Sequence, residues 1–429
     1  MIRQAPGLVI IAILIAAIAV KIGLPVTPLI PGLGIWIVTL WLWPRLSRIL
    51  AIQSAVVFLI GLGGFVATAQ RVPLAFTDLR AALEANYAVL GMLIGVSFLR
   101  LLQQHQSPIR MSQGVQGQVQ TMLGAHVLGS VLNLSILTLL GQRLATTRPL
   151  NTIQGLALLR GFALASTWSP FFASLGVILV AVPGAHYGSL LPYGLGLALC
   201  AGLLTIWQFH HSPESAQATG FSLGFQSLKV PLTMASTVLV AHQIWPAVPI
   251  LTIVTITSVL FALINLFIQG GSMGVRLAIQ THVEHQLPKL AGEFALFASS
   301  AVLGAGISAL IRAYGLVPVL DQFGALEAWI TLCVLVSLAL IGLHPVAGIV
   351  LAATLLAPVV EDPTLLAIVF AFTWALAVLF SPLSAAQLTL KLGFQIKARA
   401  LAHLNLRFAL PILAAAYGLL WLRVTLASG

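Results

Sequence analysis

The sequence has 429 residues, 59% of them hydrophobic and only 7% charged. A soluble surface needs roughly a quarter of its residues charged, so a soluble fold is excluded. The formal charge of +11 would point to nucleic acid in a soluble protein; here its use is to orient helices in a bilayer, and no nucleic-acid partner is expected.

Apolar runs of about 17–25 residues recur along the whole length, which predicts an all-α polytopic membrane protein. The first run, "GLVIIAILIAAIAV", has no convincing cleavage site and reads as a first helix rather than a removable signal. Helices are predicted near 7–21, 25–43, 50–68 and 85–100. With the N-terminus and Arg3 in the cytoplasm, the chain returns inside at Arg45 and Arg48, and again at Arg100 and Arg110. The same walk places Arg143, Arg148, Lys229, Arg276, Lys289, Lys391, Lys397 and Arg399 inside. Lys21, Arg71, Arg80, Arg312 and Arg423 fall outside. This asymmetry predicts a cytoplasmic N-terminus.

The organisation follows from the interruptions. Residues 1–84 read as N-terminal scaffold helices, and 85–207 as a first repeat with a hairpin and a broken helix. The polar stretch 208–227, "QFHHSPESAQATGFSLGFQS", reads as a cytoplasmic linker. Residues 228–291 read as further scaffold helices with an interfacial segment, and 292–429 as a second repeat. His210 and His211 lie in the linker without further ligands at metal-binding spacing, so no metal site is expected there. Cys200 and Cys333 match no metal or redox motif and read as small packing residues.

The repeats rest on matched breaks. "TWSPFF" from Thr167 and "LFSPLSAAQ" from Leu379 put Ser-Pro into an apolar segment once in each half. Upstream of each lies a polar interruption, Asn133-Leu134-Ser135 in the first half and His344-Pro345-Val346 in the second. By the charge walk the first interrupted segment is entered from inside and the second from outside, which predicts re-entrant hairpins in inverted repeats. Proline has no amide hydrogen and opens a helix; inside hydrocarbon the freed carbonyls survive only against protein or a watery cavity. Exposed carbonyls suit a cation such as Na⁺, and a half-helix N-terminus suits an anion. The candidate substrate- or ion-binding residues are Asn133, Ser135, Ser166, Thr167, Ser169, His344, Ser381, Ser384 and Gln387. A plain proline kink, with serine bonding back to its own helix, is the alternative reading of each break.

The stretch "GLHPVAGIVLAATLLAPVVEDPTLLAIVFAFTWALAVLFSPLSAAQLTL" resembles the second-half core of the large membrane subunit of TRAP transporters. "STWSPFFASLGVILVAVPGAHYGSLLPYGLGLAL" is similar to the same family's first broken helix and the span after it. The wider group is the ion transporter superfamily, with its divalent anion–sodium symporters and arsenite permeases. The resemblance covers roughly 85–210 and 290–425. It implies a scaffold, a transport domain with elevator-like movement, and a homodimer in the symporter branch. A TRAP-type subunit implies in addition a small membrane subunit and a soluble binding protein.

Of the nine acidic residues, none takes a midplane position, which disfavours a proton pump or cation carrier. Sites made of hydroxyls, amides and helix N-termini favour a small anion. Arg160, about nine residues before Ser169, either supplies charge to that anion or snorkels to the cytoplasmic face. His344 either couples transport to protons or is a structural histidine. The expectation is a secondary active transporter of a small organic anion in a bacterial inner membrane, coupled to Na⁺ or H⁺ and without a cofactor. Alternatives are an anion or oxyanion exporter or exchanger, and a TRAP-type permease subunit. A membrane-embedded transferase or polymerase would need a base or metal ligands; the sequence has no HExxH, no paired carboxylates and no large loop, and no catalytic residue is expected.

Overall fold

The computed structural model describes residues 4–104, 111–146, 149–316 and 320–428. Arg3, Arg110 and Arg148 of the charge pattern lie outside the described residues. In chain order the helices are α1 (Ala5–Lys21), α2 (Leu29–Leu42), α3 (Arg48–Ala69), α4 (Phe76–Glu84), α5 (Tyr87–Ser97), α6 (Gly114–Leu132) and α7 (Ser135–Leu144). They continue with α8 (Thr152–Ala165), α9 (Ala173–Ala181), α10 (Tyr187–His210), α11 (Pro213–Gln217), α12 (Phe225–Ile244) and α13 (Ile250–Thr281). The last are α14 (Ala291–Tyr314), α15 (Ala325–Leu340), α16 (Pro345–Leu356), α17 (Pro363–Phe380), α18 (Ala385–Phe394) and α19 (Ala398–Ser428). Strands β1 (Met111–Gln113) and β2 (Thr219–Phe221) pair antiparallel, with Ser112 opposite Gly220. Among the described residues six helical stretches are long and apolar enough to cross a membrane, as an all-α membrane protein requires.

The chain divides into two compact units. The first comprises Met1–His105, Met234–Asp321 and Val346–Val359, and the second Gln106–Thr233, Gln322–Pro345 and Val360–Gly429.

In the first unit α3 runs along α14. Glycines set the closeness of this crossing. A Cβ on Gly306 would lie 2.0 Å from Gly61 O, and one on Gly61 would lie 2.5 Å from Val302 O. Small residues that let backbones touch are how helices associate when lipid removes the hydrophobic drive between them. The short helix α4 joins this pair through Asp78, which accepts from Arg312 of α14. Asn86 starts α5 with φ 66° and donates to Phe297 O at 2.9 Å. Helix α13 is interrupted at Gly271, whose φ of 59° and ψ of −163° are not helical.

In the second unit α17 is buried along almost its whole length. A helix that is apolar all round belongs in a core, and α17 packs against α8, α9, α10, α15 and α19. It starts at Pro363 in the first turn, with the Asp362 carboxylate accepting from Thr364 N at 2.9 Å; such a cap contributes about 1 kcal/mol. It stops at Ser381, held extended (ψ 119°) by the proline that follows. Helix α8 begins with a capping box, Gln154 N to Asn151 Oδ1 at 2.8 Å and Asn151 N to Gln154 Oε1 at 2.9 Å.

The predicted linker is partly ordered: α10 extends to His210, and Thr219–Phe221 form β2 beside α6. His210 and His211 are exposed, and the His211 ring packs against Trp207, tilted by 38° with centroids 4.6 Å apart. The predicted hairpins differ from each other. Helices α6 and α7 pack together in the second unit across the break at Asn133. Helix α15 packs against α17 and α19, whereas most of α16 belongs to the first unit, where Val350 approaches Gly304 of α14.

Candidate functional site

All ten residues singled out in the sequence lie in the second unit: Asn133, Ser135, Arg160, Ser166, Thr167, Ser169, His344, Ser381, Ser384 and Gln387. The elements that carry the two breaks touch each other there. Helix α17 packs on α8 and α9, and α18 on α7 and α8.

At the first break, α8 ends in a tightening turn in which Ser166 N bonds Ala163 O and Ser169 N bonds Ala165 O. The chain passes Pro170 and re-enters helix at Ala173. The freed carbonyls find partners close by. Ser174 Oγ donates to Ser166 O at 2.7 Å, and Asn133 Nδ2 donates to Phe171 O at 2.9 Å. Ser169 Oγ donates to Ser130 O and accepts from Phe171 N at 3.2 Å. Thr167 Oγ1 lies 2.8 Å from both Leu164 O and Gly194 O, and Gly194 permits the approach of α10, since a Cβ there would sit 2.2 Å from Thr167 O. The residue before α9, Phe172, supplies no side-chain cap, so that helix presents its first amides bare of one.

Two residues the sequence reading passed over fix this break from behind. His126 Nδ1 lies 3.1 Å from Gly161 O, and Trp168 Nε1 donates to His126 Nε2 at 3.0 Å. Both bonds are made by one neutral tautomer, with the proton on Nδ1. Asn133, with φ 53° and ψ −145°, and Ser135 are half-buried at the α6–α7 break.

At the second break the hydroxyls divide the work. Ser384 Oγ donates to Val378 O at 2.9 Å and accepts from Gln387 N at 3.3 Å, so it caps α18. Ser381 is buried, and its hydroxyl makes no hydrogen bond among the described residues. Leu379 O, released by the break, accepts from Gln387 Nε2 at 2.7 Å and from Asn405 Nδ2 at 2.8 Å. Gln387 Oε1 is buried without a hydrogen-bond partner among the described residues. His344 is half-buried before α16, its ring edge-on to Trp374 of α17 with centroids 6.0 Å apart.

Arg160 connects the two breaks. It is fully buried, so it neither snorkels nor reaches solvent. Every guanidinium N–H is used: Nε and Nη2 donate to Asn405 Oδ1 at 3.2 Å each, Nη2 also to Leu404 O at 3.2 Å, and Nη1 to Thr205 Oγ1 at 3.2 Å and Gln208 Oε1 at 2.8 Å. The Phe408 ring lies 4.0 Å from the guanidinium carbon. All these acceptors are neutral, and among the described residues no carboxylate forms an ion pair with Arg160. The chain matches no protein-family model and no curated protein.

Charge-assisted bonds to neutral oxygens and a ring face offset part of the several kcal/mol that burying a cation costs. The positive charge itself stays uncancelled. Asn405, Thr205 and Gln208 were not among the residues singled out in the sequence; they lie on α10 and α19, 45 to 245 residues downstream of Arg160.

Proposed function

We propose that the chain is a secondary active transporter of a small organic anion, a divergent relative of the ion transporter superfamily, and that the second unit holds the anion. The observation that carries this reading is the buried, uncancelled charge of Arg160. A buried cation lacking a carboxylate is best balanced by a mobile anion. Its own donors are occupied, so it acts through its field, at longer range than a hydrogen bond and in a medium where screening is weak. The α9 N-terminus, in the same unit and with no side-chain cap, offers amides and the positive end of a helix dipole to the anion. Ser381 offers a hydroxyl without a hydrogen-bond partner among the described residues, and Gln387 and Asn405 keep the second break polar.

The order of elements supports inverted repeats. Helices α6 and α7, the broken pair α8–α9 and the long α10 precede α15 and α16, the broken pair α17–α18 and the long α19. On this reading the first hairpin enters from the cytoplasm and the second from outside, with the N-terminus in the cytoplasm of a bacterial inner membrane. The second unit is then the moving element of an elevator and the first the scaffold, in a homodimer. The proposed role is that of a carrier rather than an enzyme, coupled to Na⁺ or H⁺. A TRAP-type arrangement adds a soluble binding protein and a small membrane subunit as partners.

The test is a thermal-shift screen of the purified protein against small mono- and dicarboxylates, oxyanions, and neutral and cationic analogues, in Na⁺ and in K⁺. Stabilisation by one class of anion, and none by its neutral analogue, is expected. Stabilisation by cations or neutral solutes alone overturns the reading.

A further inference from the structure

We propose that a basic cavity in the first unit binds the headgroup of an anionic glycerophospholipid. The proposal does not depend on what the second unit carries.

The cavity has a volume of about 410 Å³ and lies among the turn Trp43–Arg45, the start of α3, the turn His282–Gln286 and the start of α14. Its walls carry Arg45, Ser47, His285 and Lys289, with one carboxylate, Glu284. Glu284 is already engaged: its Oε1 accepts from Gln4 and, at 3.1 Å, from Gln280, both outside the cavity lining, and its Oε2 is 3.8 Å from Nε2 of the wall residue His285. Arg45 makes no ion pair among the described residues. Lys289 Nζ donates to Gln286 Oε1 at 3.1 Å, leaving ammonium protons for another acceptor. Ser47 accepts from Leu50 N at the start of α3, and its hydroxyl proton remains to donate beside that helix N-terminus. Two cations, a hydroxyl and a positive helix end form a receptor for a phosphate monoanion.

Two further observations select a lipid rather than a free phosphate. Helix α3 leaves the cavity with Ile49, Ile52, Val56 and Leu59 exposed, spaced i, i+3, i+7 and i+10 on one face. Acyl chains attached to a headgroup in the cavity would run along that stripe. Trp41, exposed near the end of α2, matches the aromatic residues that mark the membrane–water boundary, and the positive-inside pattern assigns that boundary to the cytoplasmic leaflet. Basic pockets between helices at that level are suited to anionic headgroups.

The test uses full-length protein in nanodiscs of phosphatidylcholine, with or without phosphatidylglycerol, read by Tm and by lipid retained in native mass spectrometry. Phosphatidylglycerol is expected to raise Tm and to remain bound, and inorganic phosphate added to neutral nanodiscs to do neither. The double variant Arg45→Gln/Lys289→Gln is expected to lose the shift and to retain at least about fivefold less lipid, while Arg276→Gln/Lys391→Gln, the same loss of charge elsewhere, keeps both. Ile52→Gln leaves the charges in place and is expected to weaken retention with no change of Tm in neutral lipid. The proposal is overturned if the first double variant keeps the shift, if the control pair loses it equally, if phosphate alone reproduces it, or if Ile52→Gln retains lipid as the wild type does.

Discussion

Asn405 holds Arg160 and the second helix break at once: its Oδ1 accepts from Arg160 Nε and Nη2 at 3.2 Å, and its Nδ2 donates to Leu379 O at 2.8 Å. A buried cation on α8 is thereby tied, through a neutral amide, to the carbonyl that α17 releases where it breaks. Neutrality of the amide is the point, because it orients the guanidinium without cancelling its charge.

Asn405→Asp places a carboxylate where the amide oxygen now accepts. The fixed ion pair then does the work assigned to the cargo. The variant forfeits the Nδ2 donor to Leu379 O, which keeps its bond from Gln387 Nε2, and is expected to lose the stabilisation by anions and to transport at least about tenfold more slowly, equivalent to about 1.4 kcal/mol. Differential scanning fluorimetry and uptake measure the two effects; unchanged uptake would remove Arg160 from anion recognition.

The α3–α14 crossing makes a prediction with an internal control. A Cβ at Gly306 meets Gly61 O at 2.0 Å, whereas one at Gly63, on the same helix as Gly61, meets nothing within 4 Å. Gly306→Leu is expected to cost at least the 1–3 kcal/mol or so typical of overpacking, because backbone cannot step aside as a side chain can. Gly63→Leu is expected to leave Tm within about a degree of wild type. Equal Tm values for the two variants would contradict the close crossing.

The paired serines, alike in sequence, are expected to behave differently. Ser169 Oγ bridges Ser130 O and Phe171 N inside the first break, so Ser169→Ala should lower stability by about 1 kcal/mol or more. The Ser381 hydroxyl is free for a solute, so Ser381→Ala should leave stability near wild type and weaken anion affinity. Denaturation and ligand titration of both variants check this; a stability loss confined to Ser381→Ala would reverse the assignment.

His344 tests coupling. His344 is the candidate proton carrier, so His344→Gln is expected to flatten the pH dependence of uptake. An unchanged profile with retained transport would make His344 structural and shift the coupling to Na⁺.

What the sequence made legible was what repeats or persists along the chain. The apolar runs near 7–21 and 50–68 became Ala5–Lys21 and Arg48–Ala69, and both Ser-Pro pairs fall where helices end, because proline's missing N–H acts locally. Helix α4 was passed over because "FTDLRAALE" is short and amphipathic, without the apolar length that marks a span. Strands β1 and β2 are three residues each, too short to show a period of two. The partition of α15 and α16 between the two units was hidden for a different reason: it depends on contacts with residues far away in sequence. The same holds for Arg160, whose partners on α10 and α19 lie 45 to 245 residues downstream.

Uptake by proteoliposomes tests the central claim most directly. A labelled small dicarboxylate is offered alongside its neutral diamide of the same size, with an inward Na⁺ gradient, an inward proton gradient, or none. The account predicts that the dicarboxylate accumulates only when one of the gradients is imposed, and that an excess of the diamide does not compete. Equal competition by the diamide, or no gradient-driven accumulation of any anion in the panel, would contradict it.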